Sequence, residues 1–160
     1  MEFSKSELNK VKRGAKKATY NKKEIYQILD ATEICNVAFI FRGRAFVQPI
    51  NYGRDGDSMY LHGALKNRMT NALIESGEAS LSVMLLDAMK LTRSAFHHSV
   101  NYRSVTVFGK VSELKSDIEK LKGLKSIINH FVPNRWEFCR APNKNELKAT
   151  RVIEIKIETA

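Results

Sequence analysis

The densest chemistry in this chain lies in Tyr60-Leu61-His62-Gly63-Ala64-Leu65-Lys66-Asn67-Arg68, where a strand-like run ends in a glycine and opens a helical run carrying two cations in its first turn. Unpaired N–H groups at a helix start favour phosphate. Gly63 permits close backbone approach, and Lys66 and Arg68 supply balancing charge. The same pattern also describes a tight turn leading into a solvated helix face, and the residues alone leave the two readings even.

Other candidates are weaker. His97 and His98 are adjacent, so on an extended segment they point to opposite faces and do not share one metal ion easily. His62 and His130 add no recognised ligand spacing, which favours loop or satisfied half-buried positions for the histidines. Asn101-Tyr102-Arg103-Ser104 opens a long strand with a donor-rich set in which Arg103 and Ser104 face opposite sides. One side can meet a ligand; an ordinary barrel strand with a polar outer face explains the set as well. Trp136, beside Arg135, either stacks on an aromatic cofactor or plugs the end of a barrel. No Ser/His/Asp arrangement and no paired carboxylates can be specified.

The elements that must position these residues read as follows. Ile25, Ile28 and Leu29 recur at helical spacing through Lys22 to Ala31. Ile34 to Phe41 and Ala45 to Tyr52 are strand-length runs separated by Arg42-Gly43-Arg44, a hairpin. Asp55-Gly56 marks a second tight turn before Met59-Tyr60-Leu61, because Asp-Gly accepts positive φ. Leu65, Met69, Ala72 and Leu73 give a helix over Leu65 to Ser76, stopped at Gly77. Ala79 to Leu86 and Ser99 to Leu114 are strands rich in β-branched and aromatic residues. Ser116 and Glu119 form a capping box ahead of an apolar stripe of Leu121, Leu124, Ile128 and Phe131, in a helix that stops before Pro133. Asn143 and Glu146 repeat the box, and Arg151 to Ile157 alternates as a closing strand. Hairpin-joined strands with helices set between them predict an α+β fold, mainly β: a barrel decorated by helices rather than a doubly wound sheet.

Composition bounds the function classes. With 160 residues, 43% of them hydrophobic, the chain suits one compact core without disulfides, and its two cysteines, Cys35 and Cys139, are too few for a stapled secreted scaffold. A polar start and no apolar stretch of spanning length lead to the expectation of a cytoplasmic protein without a membrane segment. The net charge is +10, and the first 23 residues hold eight Lys/Arg against two Glu. We therefore expect a basic N-terminal arm over 1–21 and one folded domain over 22–160. Aromatic residues do not interleave the basic run, so nucleic acid is not the favoured partner.

Read together, Ile25 to Val37, Val47-Gln48-Pro49-Ile50-Asn51-Tyr52-Gly53, Tyr60 to Ala64, Arg93 to Ser99 and Asn101 to Val105 resemble the flavin-nucleotide-binding branch of the pyridoxamine 5'-phosphate oxidase-like proteins, to which the nitroimidazole-resistance proteins are similar. The resemblance runs from about Arg13 to the end of the chain. It implies a six-stranded antiparallel split β-barrel and a homodimer with flavin mononucleotide (FMN) at the subunit interface. By similarity, Lys66, Asn67 and Arg68 hold the flavin phosphate, the backbone of Pro49, Ile50 and Asn51 runs beside the ring system, and His62 and Gly63 sit near the ribityl chain. Ser104, with Arg103 nearby, reaches the cofactor from the long strand, and His97 and Trp136 are candidates for the ring-side pocket. Relatives often carry serine where Asn67 stands. Similar proteins also continue past the last strand, whereas this sequence ends at Ala160, which implies a site lacking one wall. No Arg-x-His signature of vitamin B6 oxidation is present near the C-terminus. The implied activity is thus a flavin-dependent oxidoreductase acting on an unidentified small molecule or electron donor; the alternative is a flavin- or haem-binding protein without turnover.

Overall fold

In the computed structural model, which describes all 160 residues, strand-forming runs dominate and collect into one seven-stranded antiparallel sheet. In chain order the elements are α1 (Lys22–Leu29), β1 (Ile34–Phe41), β2 (Arg44–Asn51), β3 (Gly53–Asp55), β4 (Ser58–Ala64), α2 (Arg68–Ser76), β5 (Glu78–Lys90), β6 (Ser99–Leu114), α3 (Asp117–Phe131), α4 (Lys144–Ala149) and β7 (Thr150–Thr159). The sheet order is β2-β1-β5-β6-β7-β4-β3.

That order makes β2 and β3 the two edges, yet they are consecutive in the chain and meet at Tyr52. The sheet curls into a split barrel whose seam is bridged by covalent continuity instead of a ladder of hydrogen bonds. Tyr52 is fully buried, its hydroxyl donates to the Leu29 carbonyl and its N–H to the Glu33 carbonyl at 3.3 Å. These contacts interrupt the chain at Tyr52, where the expected strand ends, and pairing resumes at once over Gly53–Asp55, which the sequence leaves outside any strand. Seven strands therefore replace the expected six, the added one being β3, which pairs with β4 through a two-residue turn starting at Gly56 with φ 58°.

Alternation sorts each strand into an inner and an outer row. Cys35, Val37 and Phe39 of β1, Leu81 and Val83 of β5, Val105 and Val107 of β6, and Ile153, Ile155 and Ile157 of β7 point inward into a single core of 19 buried residues. Burial pushes the Cys35 thiol up to about 12, which keeps it protonated and unreactive. Met69 and Leu73 carry α2 onto one end of that core, while Ile25 and Leu29 carry α1. Ahead of α1, Phe3 is buried in the same core, and Asn9 donates to the Ala160 carbonyl at 3.2 Å.

Two boundaries and one packed face depart most from the periodicity. The second helix begins at Arg68, not Leu65, because the Asn67 side chain accepts from Thr70 N–H at 3.0 Å and so takes the capping position. β5 runs on to Lys90, paired along β6 in a long hairpin with an irregularity between Leu86 and Ala88. Both capping boxes form as read, at Ser116/Glu119 and Asn143/Glu146. The buried seam of α3, however, runs through Gly123 and Ile127, rotated from the expected stripe. It packs on Tyr60, Leu114 and Val152 because glycine lets the helix approach closely: a Cβ at Gly123 would press on Val152 and Tyr60.

Candidate functional site

The split creates two free sheet edges that face it. β2 pairs with β1 only, so alternate backbone N–H and C=O groups of Val47 to Asn51 point away from the ladder. On the other lip, β3 pairs with β4 over Ser58 to Tyr60 alone, which leaves Leu61 to Ala64 with β7 as their single neighbour. Pro49, Ile50 and Asn51 thus belong to one lip, and His62 and Gly63 to the other.

Beyond Gly63 the chain turns through Leu65 and Lys66 into α2, and Arg151 fixes that turn. Its guanidinium donates to the Leu65 carbonyl at 2.8 Å, to the Asn71 side chain, and to Glu113 Oε1 at 2.8 Å. Arg151 is registered opposite Gly63 on β7, so the closing strand reaches under the turn and holds it from below. The sequence reading missed this residue; the signal available was its place at the start of a strand that pairs with β4.

Lys66 and Arg68 project from the turn without any acidic or hydrogen-bonded partner, unlike Arg54, Arg103, Arg140 and Arg151, which are all ion-paired. The Arg68 guanidinium instead lies over Phe46 and Phe41, 4.6 and 5.2 Å from the ring centroids. Such stacking holds the side chain while leaving its N–H edge free. Lys66 and Arg68 line a groove of ≈ 640 Å³ between α2 and the β1–β2 turn, with Phe41, Arg42, Asn71 and Glu75 among the other walls. Asn67 uses its carbonyl oxygen as the cap, so its amide nitrogen remains available to donate; a Cβ on Gly63 would lie 3.1 Å from that nitrogen. His62 is half-buried, and its Nδ1 is buried without a hydrogen-bond partner. Burial holds its pKa below the ordinary imidazole value, so the ring is neutral near pH 7.

The remaining sequence candidates lie elsewhere. Pro49, Asn36, Ser82 and Thr106 form one cross-strand row over β2, β1, β5 and β6, and Asn51 and Ser104 belong to the adjoining rows of that outer face. Arg103 points to the other side, where Asp87 occupies its Nε and Nη2 at 3.1 and 2.8 Å. His97 is exposed in a short 3-10 turn, Ala95–His97, at the tip of the β5–β6 hairpin. Trp136 sits in another, Arg135–Phe138, packed by α3: its backbone N–H donates to Asn129 Oδ1 at 2.9 Å. Within one chain, therefore, the structure gathers Lys66, Asn67, Arg68, His62 and Gly63 around the turn and leaves His97, Arg103 and Trp136 outside it.

A donor-rich turn and two cations that make no ion pair suit an anionic ligand, and comparison with known proteins bears on which. A family model described as Pyridoxamine 5'-phosphate oxidase matches residues 21–160. The chain belongs to the pyridoxamine 5'-phosphate oxidase family. Among solved structures of this family's split-barrel type, the flavocytochrome Anf3 from Azotobacter vinelandii is 33% identical, with a TM-score of 0.87 over 96% of this chain and 71% of that one. An FAD and heme binding protein from Mycobacterium smegmatis is 32% identical, with a TM-score of 0.80 over 86% of this chain and 66% of its own length. A protein from Bacteroides thetaiotaomicron named for 5-nitroimidazole antibiotic resistance shares the fold, at 21% identity and a TM-score of 0.73 over 87% of this chain and 81% of that one. A search of curated protein sequences returned no match. The pyridoxamine 5'-phosphate oxidase family membership agrees with the resemblance carried by the strand and turn motifs. No helix in the chain is long and apolar enough to cross a membrane.

Proposed function

We propose that this chain binds a flavin nucleotide at the split, with its phosphate held by Lys66, Arg68 and the Asn67 amide. The observation that carries this reading is the pair of cations beside the split that make no ion pair, set on a turn pinned by Arg151. Two relatives at 33% and 32% identity are named for a flavin together with haem, which supports the same reading. The free edge of Pro49 to Asn51 offers two carbonyl acceptors and the Asn51 N–H along one side of a flat ring, and half-buried His62 belongs to the opposite lip. FMN is the smallest flavin that meets these requirements. When bound, a flavin supplies hydride or single-electron acceptance, so the protein's share is to bind, orient and exclude water. The activity we propose is oxidoreduction of a small molecule or electron donor.

The partner we propose is a second copy of the chain. The outer face of β2-β1-β5-β6 exposes Ile34, Val47, Met84, Leu86 and Tyr102, at 48 to 68% of their surfaces. Pairing through this face would bring Asn51 and Ser104 of each copy to the interface, where a ligand held at the split can meet both chains. A second reading, a protein that holds flavin or haem without turnover, rests on the haem in the names of both relatives.

An absorption spectrum of the purified chain, alone and after adding flavin, decides between them. Flavin bands that persist through desalting are expected, and their loss in Arg68→Ala with the fold retained assigns the phosphate site. A variant that keeps the parent's flavin affinity removes Arg68 from the site. A Soret band without flavin bands favours the second reading, and donor-dependent bleaching of the flavin favours the first.

A further inference from the structure

The segment ahead of α1 is a loop closed at both ends. Phe3 N–H donates to the Tyr20 carbonyl at 2.9 Å and Lys22 N–H to the Met1 carbonyl at 3.1 Å, while Glu2 bridges Asn21. The Phe3 ring, buried in the main core against Tyr26, anchors the incoming side. Two side chains hold the span between: Asn9 donates to the Ser4 carbonyl at 3.0 Å and to the Ala160 carbonyl at 3.2 Å, and the Tyr20 hydroxyl accepts from Val11 N–H at 3.1 Å. Surface loops with ends this close, packed by their own side chains, are frequently functional.

What the loop leaves outside is basic and apolar. Over residues 4–18, Lys5, Lys10, Lys12, Arg13, Lys16 and Lys17 are all exposed, against one acid, Glu7, whose 3.6 Å ion pair with Lys12 is open to water. Leu8, 65% exposed on a turn, and Val11, 41% exposed, stand among these cations. All but one of the cations are lysines. An ammonium is a hydrated point charge that suits a diffuse sheet of negative charge, whereas planar guanidinium is the better group for fixed phosphate and interface pairs. Neither aromatic ring at the base of the loop is free to stack on a nucleobase, because Phe3 is buried and the Lys5 ammonium lies over Tyr20, 4.9 Å from its centroid.

We propose that this loop is a docking surface for an anionic lipid bilayer, on which its cations lie over acidic headgroups while Leu8 and Val11 enter the interfacial layer. Clusters of roughly four to eight Lys/Arg bind acidic leaflets, and attachment is firmer where charge is combined with apolar insertion. The loop carries both signals. Its ties to the core through Phe3 and to Ala160 through Asn9 make the barrel follow the loop, so the chain meets the surface in one orientation. The proposal is independent of the flavin reading, since the loop meets the Ala160 end of β7 and the turn carrying Lys66 and Arg68 meets the Arg151 end.

The test is co-sedimentation of the full-length chain with vesicles of phosphatidylcholine, alone or mixed with phosphatidylglycerol, at low and at high salt. The parent should bind the mixed vesicles at low salt, ignore the neutral ones, and be released as the Debye length shrinks from ~10 Å at about 0.1 M to ~3 Å at about 1 M. Removing two cations in Lys12→Gln/Lys16→Gln should weaken binding roughly 25-fold, about fivefold per charge. Leu8→Ser should weaken it about threefold and leave the salt dependence unchanged. Lys144→Gln, which removes an exposed cation on α4, should change it by less than about twofold. A parent that stays in the supernatant with mixed vesicles overturns the proposal. So does a loss from Lys144→Gln equal to the loss per charge in the loop, which makes net charge responsible. Tighter binding to a single-stranded oligonucleotide or to polyglutamate than to the mixed vesicles replaces lipid by another polyanion and overturns it as well.

Discussion

The outer surface of the barrel is built by one rule and finished in two ways. Along β4 and β7, outward residues Tyr60 and Val152 meet Leu114, Gly123 and Ile127 in a small second core beneath α3. Along β2, β1 and β5 the same alternation places Val47, Ile34, Met84 and Leu86 outward, and nothing in the chain covers them. A sheet face that is apolar and covered has found its partner within the sequence. One that is apolar and bare is complementary to something else, and large patches of this kind mark interaction sites. Polar members of the bare half, Asn36, Ser82, Ser104 and Thr106, run across the middle of it, so the face offers hydrogen bonds as well as area.

Breaking the covered half should have the largest effect. At Gly53 an added Cβ would fall inside contact distance of the Ile127 and Ser126 backbone, and a backbone cannot step aside as a side chain can. Gly53→Ala should therefore cost about 3 kcal/mol in urea unfolding by forcing α3 away from β3. The bare half should respond in the opposite manner: Met84→Asp should leave monomer stability within about 0.5 kcal/mol. Its gel-filtration mass should fall to that of one chain, and an unchanged mass would show that this face is not where copies meet.

Next in size is the turn between the halves. Removing the guanidinium in Arg151→Ala leaves the Leu65 carbonyl and Glu113 unpaired, for a loss of about 2 kcal/mol. Flavin affinity should drop with it, and Arg151→Lys should restore stability only in part because lysine lacks the planar fork. The smallest effect is a pH slope. Burial lowers the His62 pKa in the folded state, so the unfolded chain takes up a proton first as pH falls. Its contribution is fully present above about 6.5, the ordinary imidazole value, and is lost progressively below it. His62→Leu should flatten that part of the stability curve.

Much of the fold was legible because local signals agree with tertiary ones. Ile34–Phe41 and Ser99–Leu114 have the bounds that alternation gives them, and both capping boxes form where Ser or Asn precedes Glu by three. What was not legible depends on contacts between distant segments. Nothing in Gly53 to Asp55 announces a separate strand beyond Tyr52, whose position is held by Leu29 and Glu33, and nothing in α3 alone selects the Gly123–Ile127 seam over Leu124–Ile128. The site divides in the same way. Lys66, Asn67 and Arg68 are consecutive in sequence and share a turn by that fact alone, whereas Arg151 reaches the turn from 86 residues away.

The seam at Tyr52 has a mechanical consequence. In a barrel closed by a full ladder, admitting a rigid ring between two strands requires several backbone bonds to rupture together. Here the lips of β2 and β4 are tethered at one end by the chain and bonded only to their outer neighbours, so they can part like the jaws of a hinge while every ladder stays intact. Amide hydrogens along Val47 to Asn51 and Leu61 to Ala64 should consequently exchange with solvent sooner than those in the middle of β5 and β6, with the hinge itself, buried beneath Tyr52, among the slowest.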